Sequence, residues 1–207
     1  MRSTRSLTLL LLLLVATVGA AAAPAAAAAR RRALRVDAGG HGVGPYRADT
    51  AVPGLTIAGG GFRHVTDERI RGRPSWLRRL YKTQYACVSC QYIFRVAPGT
   101  YKVRLHFIEV WRPSMRAGAR VFNVAVSDLS FTRATIKGLD IFARVGARKP
   151  LVRTLRNIVV TDPGAPYYPV LSVDLTAVKD HAMVSAIELI PVKGGGFPCL
   201  KGGCTSE

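Results

Sequence analysis

Residues Tyr101–Gly146 read YKVRLHFIEVWRPSMRAGARVFNVAVSDLSFTRATIKGLDIFARVG. Tyr101, Val103, Leu105 and Phe107 alternate with Lys102, Arg104 and His106. A period of two buries one face of a strand and leaves the other to water. The alternation breaks at Glu109-Val110-Trp111-Arg112-Pro113, so a carboxylate and a large aromatic fall where the chain leaves the sheet. A second strand is expected over Arg120–Val126, followed by the short apolar run Leu139–Val145. A sheet whose strand ends in an aromatic and acidic loop is a common support for a binding surface.

Working outward, the same grammar repeats. Apolar runs rich in Val, Ile, Phe and Tyr occupy Leu34–Asp37, Tyr92–Val96, Leu151–Val160, Val170–Leu175 and Val184–Pro191. Pro98-Gly99, Asp162-Pro163-Gly164 and Pro166 punctuate them. Long helical periodicity is absent, and this spacing predicts an all-β sandwich. One short helix is expected to start near Ser75 and cover Trp76–Tyr81. Gly39–Pro53, Ile57–Arg73 and Arg112–Gly118 read as long loops, and Lys193–Glu207 as a glycine- and cysteine-rich tail outside the sandwich.

Several of these segments together resemble the malectin family of carbohydrate-binding domains. Val36-Asp37-Ala38-Gly39-Gly40 is similar to the family's opening strand and glycine pair. Leu80 to Tyr85 resembles its LYxTxxY segment, one residue shorter, and Leu105 to Val110 resembles its LxFAEV strand end. Arg120-Val121-Phe122-Asn123-Val124 resembles KVFDV, Leu139 to Gly146 resembles LDIFxRVG, and Asp180 to Ile190 is similar to the closing strand. The resemblance implies a jelly-roll-like sandwich of two sheets over residues 30–192. It also implies a non-catalytic, lectin-like protein that recognises an oligosaccharide.

A sugar offers C–H faces and a rim of hydroxyls, so its site needs flat aromatics and carboxylates or amides that accept hydrogen bonds. The resemblance places three such residues. Tyr85 falls on a tyrosine that stacks on the sugar, Trp111 on an aromatic directly after the strand end, and Asp180 on the binding aspartate. Arg112 stands where the family has a second aromatic; an arginine there can stack, or pair with an anionic sugar. Phe62 or His64 is nearest to the family's first tyrosine, and Phe62 could stack without donating a hydrogen bond. Glu109 reads as a structural carboxylate that supports the site.

The ends and the composition bound the setting. Arg2, Arg5, the apolar Leu7–Val18 and the alanines that follow form a secretory leader over residues 1–29, cleaved between Ala20 and Ala29. A retained membrane anchor is the alternative; no later segment is apolar enough to span a membrane. The chain is therefore expected in the secretory pathway, secreted rather than kept in the endoplasmic reticulum, since Thr205-Ser206-Glu207 is no retention signal. Cys87, Cys90, Cys199 and Cys204 fit an oxidising compartment. Three pairings are open. The glycine-rich tail favours bridges between the two clusters, and two local bridges are the alternative. The spacing suits neither a zinc site nor a thioredoxin pair, and no metal or other cofactor is expected.

With 30 Lys and Arg against 12 Asp and Glu, the net charge is +18. This attracts anionic partners, and a glycan bearing acidic groups, a glycoprotein or a membrane receptor would suit it. No nucleic-acid motif appears. The competing reading is a basic matrix or cell-wall protein that binds polyanions on the same fold, with the sugar cleft lost. An enzyme is not expected: Glu109 and Asp180 are the one carboxylate pair to nominate for glycoside hydrolysis, and neither a serine-nucleophile elbow nor an HExxH motif is present.

Overall fold

In a computed structural model that describes residues 32–197, thirteen strands and two short helices follow one another. The strands are β1 (Leu34–Asp37), β2 (Arg47–Ala48), β3 (Leu55–Ala58), β4 (Gly61–Val65), β5 (Thr83–Cys87), β6 (Ser89–Arg95) and β7 (Ala97–Phe107). Then come β8 (Val121–Ser127), β9 (Thr132–Leu139), β10 (Leu151–Val160), β11 (Val170–Lys179), β12 (Ala182–Val184) and β13 (Ala186–Gly196). Helix α1 spans Ser75–Leu80 and α2 spans Ile141–Val145.

Two five-stranded sheets form the sandwich, in the orders β10-β7-β13-β1-β2 and β3-β6-β11-β8-β9. Apart from the parallel β1–β2 pair, the ladders are antiparallel. The alternation in β7 holds on its apolar side, where Val103, Leu105 and Phe107 are buried, but His106, expected on the wet face, is buried as well. Val103, Leu105 and Phe107 join Phe122, Val124, Val126, Leu171, Val173 and Leu175 from the facing sheet in one core. Phe107 meets Phe122 across the two sheets with ring centroids 5.7 Å apart. On the other face of β7 and β13, Glu188 accepts from Tyr46 at 3.0 Å and lies 2.8 Å from the His106 ring. The Tyr81 hydroxyl lies 2.8 Å from the second His106 nitrogen. This polar knot sits under a smaller apolar cluster of Tyr46, Ile70, Leu80, Tyr81, Ile108 and Val110.

Three expectations change. The stretch expected as a loop over Ile57–Arg73 contains β4, which pairs with β5 and, through it, β12 in a third, three-stranded sheet. Its sequence GFRHV is mostly exposed and carries no burial alternation, so periodicity could not find it. The boundary at residue 192 falls inside β13, because Lys193, Gly194 and Gly196 still pair with Thr100, Gly99 and Ala97. A side chain at Gly99 would lie 2.0 Å from the Gly195 nitrogen, so the glycines here permit close backbone contact. Cys87 and Cys90 bond to each other, which replaces the favoured bridges between clusters. The two cysteines close a short turn between β5 and β6. Cys199, Cys204 and the expected leader lie outside the described residues.

Candidate functional site

The site forms where β7 ends. Past Phe107 the chain leaves the sheet, yet Ile108, Glu109 and Val110 remain buried. Gln84 of β5 donates to the Ile108 carbonyl at 2.7 Å, and the Glu109 carbonyl accepts the Arg148 amide at 2.8 Å. The Glu109 side chain accepts the Trp111 amide at 2.9 Å. That bond fixes the point at which Trp111 emerges, 47% exposed.

Glu109, 1% exposed, must be compensated in so dry a place, and Arg120 does this. Arg120, at the threshold of β8, is 5% exposed and lies 3.3 Å from Glu109. Its guanidinium also donates to one oxygen of Asp180, from Nε at 3.0 Å and Nη2 at 2.8 Å. The same oxygen accepts the Ser114 hydroxyl at 2.7 Å. The other carboxylate oxygen of Asp180 lies 2.9 Å from the His181 ring. Asp180 sits in the turn between β11 and β12 with φ +58°, a left-handed conformation that aspartate tolerates better than most residues.

These contacts set the protonation states. Burial pushes the Asp180 carboxyl up, but the donors Ser114, His181 and Arg120 outweigh it and hold the group at about 2. Glu109 goes the other way: burial raises it, only partly opposed by Arg120 and the Trp111 amide. Burial lowers His64, and the Arg120 charge adds to the lowering.

Around this charge group lies a cleft of about 190 Å³, lined by Phe62, His64, Ala86, Trp111, Arg120, Asp180, His181 and Met183. Phe62 and Trp111 are both about half exposed. Each ring is propped edge to face, Phe62 against His181 at 5.3 Å and Trp111 against His64 at 5.6 Å. The props fix two apolar surfaces beside an ionised carboxylate. A broader groove of about 570 Å³ adjoins it across Trp111 and His64, and runs along Val65–Arg69 and Arg112–Pro113 to Arg148.

Of the residues expected from sequence, Phe62, Trp111 and Asp180 come together. Tyr85 and Arg112 do not join them. Ala86 of β5 lines the cleft, so its neighbour Tyr85 points to the other face of that strand. The Tyr85 ring packs against Tyr92 with centroids 5.7 Å apart. It also lies under Gly61, where a side chain would come within 2.5 Å of it. Arg112 extends outward, its side chain 84% exposed, and pairs with Glu68 at 2.8 Å. Reasoning from sequence missed Arg120, His181, Met183 and Ser114. The signal for Arg120 was its place directly before the alternating strand Val121–Ser127, where a buried cation calls for a buried acid.

The malectin domain profile matches residues 33–187. The chain therefore belongs to the malectin domain family. Among curated proteins, the kinesin-like protein KIN-14R of Arabidopsis thaliana is 36% identical over 75 residues, which is 36% of this chain and 6% of that protein. Among solved structures, the ANXUR2 extracellular domain of Arabidopsis thaliana is similar at 19% identity and a TM-score of 0.60. That match covers 75% of this chain and 47% of that one. The β-glucuronidase of Bacteroides uniformis is similar at 14% identity and a TM-score of 0.59, over 78% of this chain and 18% of the enzyme. At these identities the solved structures show the shared sandwich.

Proposed function

We propose that this chain is a carbohydrate-binding protein of the secretory pathway that receives one sugar of an oligosaccharide in the cleft between Phe62 and Trp111. The observation that carries this reading is the pairing of two exposed, propped aromatic rings with a carboxylate held ionised at neutral pH. The rings offer stacking faces for C–H surfaces. Asp180 keeps acceptor capacity on the oxygen that faces His181, because Arg120 and Ser114 occupy the other. His181 can donate to a hydroxyl from its far nitrogen. The cleft volume suits a single sugar ring.

A binding role fits this geometry better than hydrolysis. Glu109 and Asp180 share Arg120 between them, and Glu109 is buried behind the Trp111 backbone rather than facing the cleft. A glycosidase needs two carboxyl groups flanking one open bond. The extracellular or secretory setting is supported by the shared fold with the ANXUR2 extracellular domain and by the apolar run Leu7–Val18. Among the described residues no helix is long and apolar enough to cross a membrane.

The test uses the whole chain on an array of neutral and acidic glycans, beside Trp111→Ala and Asp180→Asn. Retention by both variants of every glycan bound by the parent would sink this reading. It would favour the competing one, adhesion of a basic surface to polyanions, which weakens steeply with salt.

A further inference from the structure

A second concavity of about 540 Å³ lies between the turn Arg71-Gly72-Arg73 and the segment running from Ala143 to Pro150. Its lining holds four cations, Arg71, Arg73, Arg144 and Lys149, and no acid. None of these four takes part in an ion pair among the described residues. Their neighbours differ: Arg148 and Arg112 are both paired with Glu68. Acid is thus spent on the middle groove and withheld from this cleft. Four like charges around one hollow repel each other, and an oxyanion placed among them relieves that repulsion. The guanidinium fork matches the paired oxygens of a carboxylate or sulfate.

The walls are tied to the aromatic cleft. The Arg71 amide donates to the Arg148 carbonyl at 2.9 Å, and the Arg148 amide donates to the Glu109 carbonyl at 2.8 Å. Glu109 in turn holds the Trp111 amide at 2.9 Å. Arg148 carries φ +61°, a costly conformation for arginine that these two backbone bonds hold in place. The three hollows therefore follow one another: the aromatic cleft, the groove that shares Trp111 and His64 with it, and the basic cleft beyond Arg148.

We infer that the basic cleft is a second subsite, which binds the carboxylate or sulfate group of an acidic sugar further along the glycan held at Trp111. This rests on the carbohydrate-binding reading and names the substrate class: an acidic oligosaccharide rather than a neutral one. The middle groove is the weaker competitor for the acid group, because two of its three arginines, Arg112 and Arg148, are already paired with Glu68.

Two measurements on the whole chain test the subsite separately from the aromatic cleft. The first is a sodium sulfate titration at constant ionic strength, followed by amide NMR. Saturable shifts at Gly72 and Gly146 are expected, and their absence in an Arg71→Ser/Arg144→Ser variant. Both arginines are exposed, so the variant keeps its fold. The second compares maltohexaose and cellohexaose with their C6-carboxylated forms. The carboxylated form of whichever oligomer binds should bind about tenfold tighter or better, the scale of a charged hydrogen bond. The double variant should lose that advantage and keep the parent's affinity for the neutral oligomer. Oligomers bound at Trp111 with no saturable sulfate shift, or an advantage that survives in the double variant, overturn this inference alone. Sulfate bound at the cleft while neither oligomer binds in either form overturns the acidic-sugar assignment, and the glycan array decides the carbohydrate reading separately.

Discussion

Arg120 is shared by two carboxylates, and most of the site's chemistry depends on that sharing. Replacing it with methionine leaves Glu109 buried and uncompensated, and should cost about 3–5 kcal/mol of stability in urea unfolding. Trp111→Ala is expected to behave in the opposite way. The ring is half exposed and braces only His64, so stability should change by about 1 kcal/mol or less while sugar binding is lost. Asp180 and Glu188 are both held at about 2, below the ordinary carboxylate range. In each, burial raises the group and its donors, Ser114 and His106 first among them, overcome the rise. A carboxyl depressed in the folded state stabilises the fold above its unfolded value and loses that contribution as pH falls through the folded one. Glu109 and Asp37, both raised by burial, act in the opposite sense. Urea midpoints should therefore drop between about pH 4 and pH 2, and the drop should be shallower in Glu188→Gln. At this scale the family resemblance made the positions of Trp111 and Asp180 legible, and both line the cleft. The facing of Tyr85 was not legible. A one-residue difference in register decides which side of a strand a ring occupies, and only the pairing of β4 with β5 fixes it.

The elements most easily read from sequence were those with one wet face. Leu151–Val160 occurs as expected, and β1, β6, β7, β8 and β11 all overlap their alternating runs. The third sheet was hidden because β4 is short and exposed, and its β5 partner is buried by contacts from elsewhere. That sheet positions Phe62 and His64, which the family resemblance named without the strand that carries them. Its attachment to β1 can be tested at Gly39, where φ is +68° and an added methyl would lie 2.7 Å from the Gln84 carbonyl oxygen. Gly39→Ala should destabilise the chain by about 2–3 kcal/mol and weaken sugar binding, through strain at a left-handed position and the displacement of β5. The turn between β5 and β6 makes a milder prediction. The Cys87–Cys90 bridge spans a sequence separation of 3, so a Cys87→Ala/Cys90→Ala variant should lose only about 2 kcal/mol and remain folded. Parallel thermal melts with and without reductant would check this.

Across the whole molecule, the sandwich supplies rigidity and its loops supply chemistry. The extreme positive charge, read at first as a general attraction to anions, proves uneven. Arg112, Arg120 and Arg148 are paired with Glu68, Glu109 and Asp180, whereas Arg71, Arg73, Arg144 and Lys149 join no ion pair among the described residues. Composition alone could not show that partition, because it arises from strand order and loop contacts between distant residues. The spacing of the apolar runs and the ordered family segments were enough for the class of fold. The most direct test of the central claim is the glycan array on the whole chain at low and at physiological salt. Binding of a defined oligosaccharide that persists at physiological salt, and is lost in Trp111→Ala and Asp180→Asn, is the result expected of the cleft described above. Indiscriminate binding of every anionic glycan that disappears with salt and ignores both substitutions would contradict it.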